Sequence, residues 1–181
     1  MKKMSTRMLV EAGIMIALAQ ILSYVKIYEA PFGGSVTLGS MIPILIFSIR
    51  WGSKPGILAG IVYGFLQFAL GTKFSYHPLG IFLDYIFAFG CLGFSGLFRK
   101  NIYSIIVSIT IAISGRFVFH YISGVVLWYS YAPEGMNTYL YSLIYNGQFL
   151  LPEYIISAFL IFTLYKPLKR FVTNQNSLGS N

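Results

Sequence analysis

Hydrophobic residues occur along this chain in long runs that are separated by short polar or basic stretches. A helix needs about 20 residues to cross the hydrocarbon core of a membrane, with a range of about 17 to 25. We therefore predict an all-α membrane protein, a bundle of six transmembrane helices that forms one membrane-embedded domain over residues 1–181. The predicted helices cover about 8–24, 36–49, 55–71, 79–98, 102–128 and 138–165. The second and third are short, so we expect them to be tilted or to thin the bilayer locally.

The composition indicates that most of the protein surface faces lipid. Hydrophobic residues make up 56% of the chain and charged residues only 10%, whereas soluble proteins carry roughly 25% charged residues. The aromatic content of 18% excludes a disordered chain, because such chains are poor in aromatic residues. The N-terminal run resembles a secretory signal, but no small-residue cleavage site follows it, so we expect a retained first helix.

Basic residues lie mainly at the ends of the predicted helices. Ten of them flank the N-terminus, two of the turns and the C-terminus: Lys2, Lys3, Arg7, Arg50, Lys54, Arg99, Lys100, Lys166, Lys169 and Arg170. The loops on the other side hold only Lys26 and Lys73. Because cytoplasmic loops are enriched in Lys and Arg, we predict a plasma-membrane protein with both termini in the cytoplasm. The net charge of +8 is thereby explained without nucleic acid, which would need a basic face on a soluble scaffold.

Polar residues inside the predicted helices indicate a candidate site, because such groups are costly in lipid and usually face a cavity or a partner. At a rise of about 1.5 Å per residue, Asp84 lies about 8 Å below the outer end of its helix. By the same estimate His120 and Asn146 each lie about 12 Å below the outer ends of theirs. Three helices therefore present polar groups at a similar depth in the outer half of the membrane.

The fifth helix adds a stripe of residues along one face. Arg116, His120, Gly124 and Trp128 recur every four residues, a spacing that keeps side chains on the same side of a helix. Tyr141 supplies a phenol from the sixth helix. Together with the carboxylate and the amide, these groups suit a flat, cationic, hydrogen-bonding ligand, and Gly124 leaves room for it. Trp128 would stack on a ring or make a cation–π contact.

Each of these residues also has a structural interpretation. Trp128 and Tyr141 lie near the outer interface and are compatible with an aromatic belt. His120 is compatible with a hydrogen bond to a neighbouring carbonyl. Arg116 and Glu153 fall near the middle of two helices, where we expect an ion pair that holds the bundle together.

The first helix carries a motif for helix contact. Gly13 and Ala17 form a small-xxx-small pair, which allows another helix to approach closely. The pair is compatible with internal packing and with an external partner helix. Glu11, near the cytoplasmic end of the same helix, is expected either to have a structural role or to snorkel to the membrane interface.

Motifs for catalysis are absent from the sequence. The chain has no Gly-x4-Gly-Lys-Ser/Thr phosphate loop, no HExxH metal motif and no Gly-x-Ser-x-Gly elbow. Cys91 is the only cysteine, which leaves no intramolecular disulfide and no cysteine-based metal site. We therefore expect a protein that is not an enzyme and that holds no cofactor or metal of its own.

Several short stretches, in this order, resemble a known family. They are Gly-Gly-Ser-Val at 33–36, Met-Ile-Pro-Ile at 41–44, Arg-Trp-Gly at 50–52, His-Pro at 77–78, Leu-Asp-Tyr at 83–85, the segment 116–124, and Tyr-Ser-Leu-Ile-Tyr-Asn at 141–146. Together they resemble the thiamine-specific substrate-binding subunits (S-components, the ThiT/YuaJ family) of energy-coupling factor (ECF) vitamin transporters. The resemblance covers nearly the whole chain.

The resemblance implies six helices and a thiamine pocket near the outer face. It also implies that the Gly13 and Ala17 motif docks onto a shared transmembrane coupling subunit, which two ATPases drive. Carried over by position, the substrate-binding residues are Asp84, Tyr85, Arg116, His120, Gly124, Trp128, Tyr141 and Asn146. Some members have Glu in place of Asp84 and Lys in place of Arg116.

One departure from the family pattern concerns the loop between the first two helices. Some members have a tryptophan where this chain has Gly34, so an aromatic lid from this loop would need another residue. Tyr28 and Phe32 are the candidates.

Two other functions stay open alongside a thiamine-binding subunit. One is an S-component for another vitamin or precursor. The other is a stand-alone proton-coupled carrier that uses Asp84 and His120, although no internal repeat supports a carrier built from inverted halves. A membrane enzyme ranks third because the catalytic motifs are missing.

Overall fold

The structure, a computed structural model, describes residues 5–71, 77–167 and 169. Four of the basic residues from which we predicted the topology lie outside the described residues, namely Lys2, Lys3, Lys73 and Arg170. The elements, in chain order, are α1 (Thr6–Ser23), β1 (Lys26–Glu29), β2 (Ser35–Thr37), α2 (Ile42–Trp51), α3 (Ser53–Leu70), α4 (Pro78–Gly96), α5 (Ile102–Val126) and α6 (Thr138–Thr163). Short 3₁₀ turns at Pro31–Gly33 and Tyr129–Tyr131 complete the list of regular elements.

The helices agree with the predicted runs except at the second one. Five of the six predicted runs begin and end within two residues of the start and end of an observed helix. The second run was predicted to begin at 36, but the helix begins at Ile42. Residues 35–37 instead pair with β1 in a two-stranded antiparallel hairpin, and Gly39 follows with a φ of +89°. Apolarity alone did not distinguish this strand from a helix.

Within the described residues, three helices are long and apolar enough to cross a membrane, namely α1, α4 and α5. Large hydrophobic side chains are also exposed all along the outside of the bundle, for example Ile21, Leu151 and Phe159, each more than 60% exposed. A surface of this kind is typical of a protein that faces lipid. The six-span count and the cytoplasmic location of the termini stay predictions.

The glycines of α3 bring it against the backbone of α4. Gly60 and Gly64 are four residues apart, and a Cβ added at either would lie 2.3 Å from the carbonyl oxygen of Phe89 or of Tyr85, respectively. Only glycine fits such an approach, which is the packing mode of small residues in membrane helices. The contact fixes the depth of α4 relative to α3.

The middle of α4 departs from α-helical geometry. Residues Ile81–Phe87 form a π-helical stretch, which returns to α-helix at Ala88–Gly90 and ends in a 3₁₀ segment at Cys91–Gly96. π-helical turns are rare and occur frequently at functional sites, since the wider turn moves side chains off their α-helical positions. Asp84 lies in the centre of this stretch.

A cluster of charged residues joins the N-terminal half of α1 to the end of α2. Glu11 Oε1 accepts a hydrogen bond from Nη2 of Arg50 at 3.2 Å, and Oε2 accepts one from the indole of Trp51 at 2.8 Å. The two charges form an ion pair, with Arg50 Nε 2.8 Å from Glu11 Oε2. Arg7 lies 3.1 Å from the other carboxylate oxygen. Glu11 thus has the structural role expected of it, since its partner Arg50 is only 2% exposed.

Candidate functional site

A cavity of about 260 Å³ opens between the helices and the β1–β2 hairpin. All eight residues predicted to bind substrate line it: Asp84, Tyr85, Arg116, His120, Gly124, Trp128, Tyr141 and Asn146. They come from three helices and the segment after α5, so the fold brings together residues that are up to 62 positions apart along the chain (Asp84 to Asn146). Their contact with a ligand stays a prediction.

Asp84 carries the only carboxylate among the eight predicted residues, and both of its oxygens have hydrogen-bond partners. Oδ1 lies 2.9 Å from Nδ1 of His120. Oδ2 accepts a hydrogen bond of 2.6 Å from the hydroxyl of Ser123. Two donors from α5 therefore hold a carboxylate that the π-helical stretch of α4 presents to the cavity.

The hydrogen bonds of His120 determine which ring nitrogen carries its proton. Arg116 Nε lies 3.2 Å from Nε2 of His120. A guanidinium only donates hydrogen bonds, so Nε2 must accept. Nδ1 then carries the hydrogen and donates it to Asp84, which makes His120 a neutral imidazole. The hydrogen bond to a neighbouring carbonyl that we considered for His120 is thus replaced by one to a carboxylate.

The predicted ion pair between Arg116 and Glu153 is wrong. Among the described residues, Arg116 donates to His120 and places its guanidinium carbon 4.1 Å above the centre of the Phe89 ring. Glu153 Oε1 instead accepts from the backbone N–H of Thr37 at 2.6 Å and from the Thr37 hydroxyl at 2.7 Å. Both charged residues line the cavity. Glu153 does not pair with Arg116 because the β1–β2 hairpin, which was not predicted, supplies its hydrogen-bond donors.

Glycine is required at position 124 for a different reason from the one we predicted. A Cβ at this position would lie 2.2 Å from Oγ of Ser142 and 3.3 Å from Nδ2 of Asn146. The space at its Cα is therefore occupied by α6, and not by room for a ligand. Asn146 Nδ2 donates to the carbonyl of Ser142 at 2.9 Å and to that of His120 at 3.3 Å, so its Oδ1 is the atom directed away from these bonds.

Aromatic side chains line the mouth of the cavity. Trp128 lies just beyond the end of α5, and its ring centre is 5.5 Å from that of Tyr131. Tyr131 in turn lies 4.3 Å from the ring of Phe32, which belongs to the hairpin loop. Phe32 has a φ of +67°, a conformation that non-glycine residues rarely adopt and that is often retained at functional sites. Tyr141 lines the same cavity, so neither Trp128 nor Tyr141 serves only an aromatic belt.

The hairpin loop is held by Tyr145 of α6. The hydroxyl of Tyr145 donates to the carbonyl of Pro31 and accepts from the N–H of Gly34 at 3.3 Å. A Cβ at Gly34 would lie 2.3 Å from the ring of Phe149. A tryptophan at position 34 is therefore incompatible with this position of Phe149, and the aromatic residue that the loop places at the mouth is Phe32.

In the part of the chain that the structure describes, no group of three or more His, Cys, Asp or Glu side chains is arranged to hold a metal ion. The cavity combines the carboxylates of Asp84 and Glu153 with fixed hydrogen-bond donors and acceptors and with aromatic faces, an arrangement that suits a flat organic cation.

Residues 9–173 match the model of a protein family described as thiamine transporter protein (Thia_YuaJ). The chain belongs to this family. It is 36% identical over 184 residues to the thiamine transporter ThiT of Bacillus subtilis (strain 168), a match that covers 93% of this chain and 95% of that protein. It is 32% identical over 155 residues to the thiamine transporter ThiT of Lacticaseibacillus paracasei, which covers 77% of each.

A solved structure of ThiT from Listeria monocytogenes has the same fold as this Thia_YuaJ member. The TM-score is 0.80 at 29% sequence identity, and the match covers 88% of this chain and 93% of that one. The resemblance and the all-α membrane class are thereby confirmed. Family membership also identifies a multi-pass membrane protein of a transporter family and not an enzyme.

Several cavity residues of this Thia_YuaJ member were not predicted as site residues. They are Gln20, Thr37, Tyr63, Gln67, Phe89, Tyr131, Ser142, Phe149 and Glu153. Gln20 lies on α1, Thr37 on the hairpin, and Tyr63 and Gln67 on α3, whereas the ionisable residues that indicated the site came from α4, α5 and α6. The glutamines at 20 and 67 were the available signal, since amides inside apolar helices also need partners.

Proposed function

We propose that this chain is the high-affinity thiamine-binding subunit, or S-component, of an ECF-type vitamin importer in the plasma membrane. It binds thiamine in the outward half of the membrane and delivers it through an ATP-driven coupling module. The observation that carries the proposal is the convergence of the eight predicted residues on one cavity in a member of the Thia_YuaJ family.

The geometry suggests how the two rings of thiamine are bound. The positive thiazolium ring is offset by Asp84, whose carboxylate is already oriented by His120 and Ser123. Trp128 stacks on a ring of the ligand, since the face of an indole attracts a cation. The aminopyrimidine nitrogens bond Asn146 and Tyr141, which supply an amide oxygen and a phenol.

The transport step requires partners, because this chain has no phosphate loop of its own. We propose that Gly13 and Ala17 dock onto a transmembrane coupling subunit that two ATPase subunits drive. No described atom lies within 4 Å of a Cβ added at Gly13, and both residues are exposed on α1. This exposure supports an external partner helix over internal packing, and the surrounding surface contacts lipid. The chain binds no cofactor of its own in this scheme.

The two tryptophans permit a direct test of binding. We expect thiamine to quench the fluorescence of the purified protein and Trp128→Phe to abolish the response. Trp51→Phe is the matched control, because Trp51 bonds Glu11 away from the cavity. Quenching that persists unchanged in Trp128→Phe would place the ligand elsewhere.

Two further measurements separate the alternatives. A competition panel with riboflavin, biotin and hydroxymethylpyrimidine distinguishes thiamine from another vitamin or precursor. Transport by the purified chain alone in liposomes, driven by a proton gradient, would instead support a proton-coupled carrier. The neutral His120 disfavours that carrier, because protonation would give Nε2 a hydrogen directed at the Arg116 guanidinium.

A further inference from the structure

Two turns of the chain meet at the end of the bundle that lies away from the cavity mouth. One joins α2 to α3, and the other, residues 97–101, joins α4 to α5. A Cβ added at Gly96 would lie 2.6 Å from the carbonyl carbon of Gly52 and 2.7 Å from the backbone nitrogen of Ser53. The backbones of the two turns are therefore in contact. α5 begins beside them and runs about 38 Å towards the mouth, at a rise of about 1.5 Å per residue.

Arg99 holds the second turn against the first through two hydrogen bonds. Its Nη1 donates to the carbonyl of Arg50 at 3.1 Å and to that of Ile49 at 3.4 Å. Both carbonyls belong to the last turn of α2, where backbone acceptors lack partners within the helix. A cation at this position also interacts favourably with the helix dipole. The segment that carries Arg99 is therefore attached to the end of α2.

Three exposed basic residues lie on these two turns. Lys54 directly follows Ser53, and Lys100 directly follows Arg99. We call Lys54, Arg99 and Lys100 the basic corner. Basic residues at this end of the bundle are expected from the topology alone, but the contact between the two turns holds these three close together.

The acidic residues of this chain lie away from the basic corner or are already paired. The chain has only five Asp and Glu residues, and among the residues that the structure describes none of them forms an ion pair with the corner. They are Glu11, which pairs with Arg7 and Arg50, Glu29 of the hairpin, Asp84 and Glu153 in the cavity, and Glu134 between α5 and α6. The corner therefore keeps its positive charge, which attracts anionic partners.

The residues around the basic corner indicate that it lies at the membrane surface. Phe98 and Tyr103 are exposed, Tyr103 by 82%, and aromatic residues are enriched at the headgroup level of a membrane. On α3, Leu58 and Val62 follow Lys54 at spacings of four residues, which keeps them on the same side of the helix. Both are exposed. Basic side chains at the headgroup level are thus followed along α3 by apolar side chains at the level of the acyl chains.

We propose that the basic corner is a binding surface for anionic phospholipids. The headgroup phosphate supplies the negative charge that the corner lacks, and the acyl chains pack on Leu58 and Val62. The corner lies at the end of the bundle that we predict to be cytoplasmic, and clusters of Lys and Arg on that side of a membrane attract anionic lipids. Such binding is independent of the ligand in the cavity.

Two other ligands share part of this chemistry. A zwitterionic lipid offers the same acyl chains, but the cation of its headgroup offsets the phosphate, so the lysines attract it less. A soluble phosphate offers the charge but makes no contact with Leu58 or Val62, and an exposed ion contact is weak in water. Only an anionic lipid satisfies both parts of the surface.

Native mass spectrometry of the purified full-length chain tests the surface. The protein is mixed with equal amounts of phosphatidylglycerol and phosphatidylcholine that carry the same acyl chains, and the retained lipids are counted. We expect the wild type to retain phosphatidylglycerol about 25-fold better, because each of the two lysines contributes about fivefold near an anionic surface. Lys54→Gln and Lys100→Gln should each lower this preference to about fivefold.

Lys166→Gln is the matched control, because it removes the same charge from an exposed lysine beyond the end of α6, which we also predict to face the cytoplasm. It should keep the wild-type preference. A large excess of glycerol phosphate, the headgroup fragment without acyl chains, should leave phosphatidylglycerol bound. The unfolding temperature in detergent without added lipid should be the same in all variants, which shows that they are folded.

Three outcomes would overturn the proposal. They are equal retention of the two lipids by the wild type, an equal loss of preference in Lys166→Gln and Lys54→Gln, and displacement of phosphatidylglycerol by glycerol phosphate. The second would show that the overall charge attracts the lipid, and the third that a soluble anion is recognised.

Discussion

Nδ1 of His120 lies 2.9 Å from Oδ1 of Asp84, and this contact joins α5 to the π-helical stretch of α4 inside the cavity. Because Arg116 donates to the other ring nitrogen, the histidine is neutral and acts as a donor to the carboxylate. The negative charge of Asp84 is therefore oriented by His120 without being neutralised by it. A carboxylate that is oriented and still charged can bind a cationic ligand.

The charge of Asp84 is tested by Asp84→Asn. The substitution keeps the shape of the side chain and removes its charge, so we expect the thiamine Kd to rise by about 10- to 100-fold, the loss of one charge-assisted interaction. Asp84→Glu, which keeps the charge, should bind within about tenfold of the wild type. Calorimetry measures both. Wild-type affinity in Asp84→Asn would show that the thiazolium charge is offset elsewhere.

The hairpin loop at the cavity mouth is tested by Tyr145→Phe. This change removes the hydroxyl that bonds both Pro31 and Gly34, so the loop carrying Phe32 loses its attachment to α6. We expect thiamine to dissociate several-fold faster, since each lost hydrogen bond contributes about 1 kcal/mol. Stopped-flow fluorescence measures the rate. Tyr139→Phe, at a residue 60% exposed, serves as the control. Equal rates in the two variants would show that the attachment of the loop to Tyr145 does not slow the release of thiamine.

Most of the fold was predictable because apolar runs of helical length dominate the sequence. The hairpin was not, because its strands are only four and three residues long and the second adjoins the apolar run that forms α2. The pairing of Lys26 with Thr37 depends on packing against neighbouring elements, which the hydropathy of each short strand does not contain. The π-helical stretch around Asp84 was likewise invisible to hydropathy.

The candidate site was predictable at positions where a polar or ionisable residue lies inside an apolar helix, because such residues are costly in lipid. Asp84, His120 and Asn146 met that condition, and the fold brings them to one cavity. Glu153 met it as well, but its partner was wrongly predicted because the donors come from Thr37. Which polar groups meet across the bundle depends on helix rotation, and one sequence does not fix that.

The glycine contact between α3 and α4 is tested by Gly64→Ala. The added Cβ would lie 2.3 Å from the carbonyl oxygen of Tyr85, so α4 must shift with the neighbouring Asp84. We expect a destabilisation of about 1–3 kcal/mol, the cost of overpacking, together with weaker thiamine binding. Thermal unfolding in detergent and calorimetry measure the two effects. Gly147→Ala is the matched control, since no described atom lies within 4 Å of its Cβ position.

The carboxylate of Glu11 is tested by Glu11→Gln. This carboxylate accepts from Arg50, which is 2% exposed, and from Trp51, and removing one charge of a buried pair costs on the order of 3 kcal/mol. Glu29→Gln provides the comparison, because Glu29 pairs with Lys26 at the surface, where such a pair contributes less than about 1 kcal/mol. We expect Glu11→Gln to unfold at a clearly lower temperature than Glu29→Gln. The emission of Trp51, measured in Trp128→Phe, should change in Glu11→Gln only. Equal unfolding temperatures in the two variants would show that α1 is held by apolar packing alone.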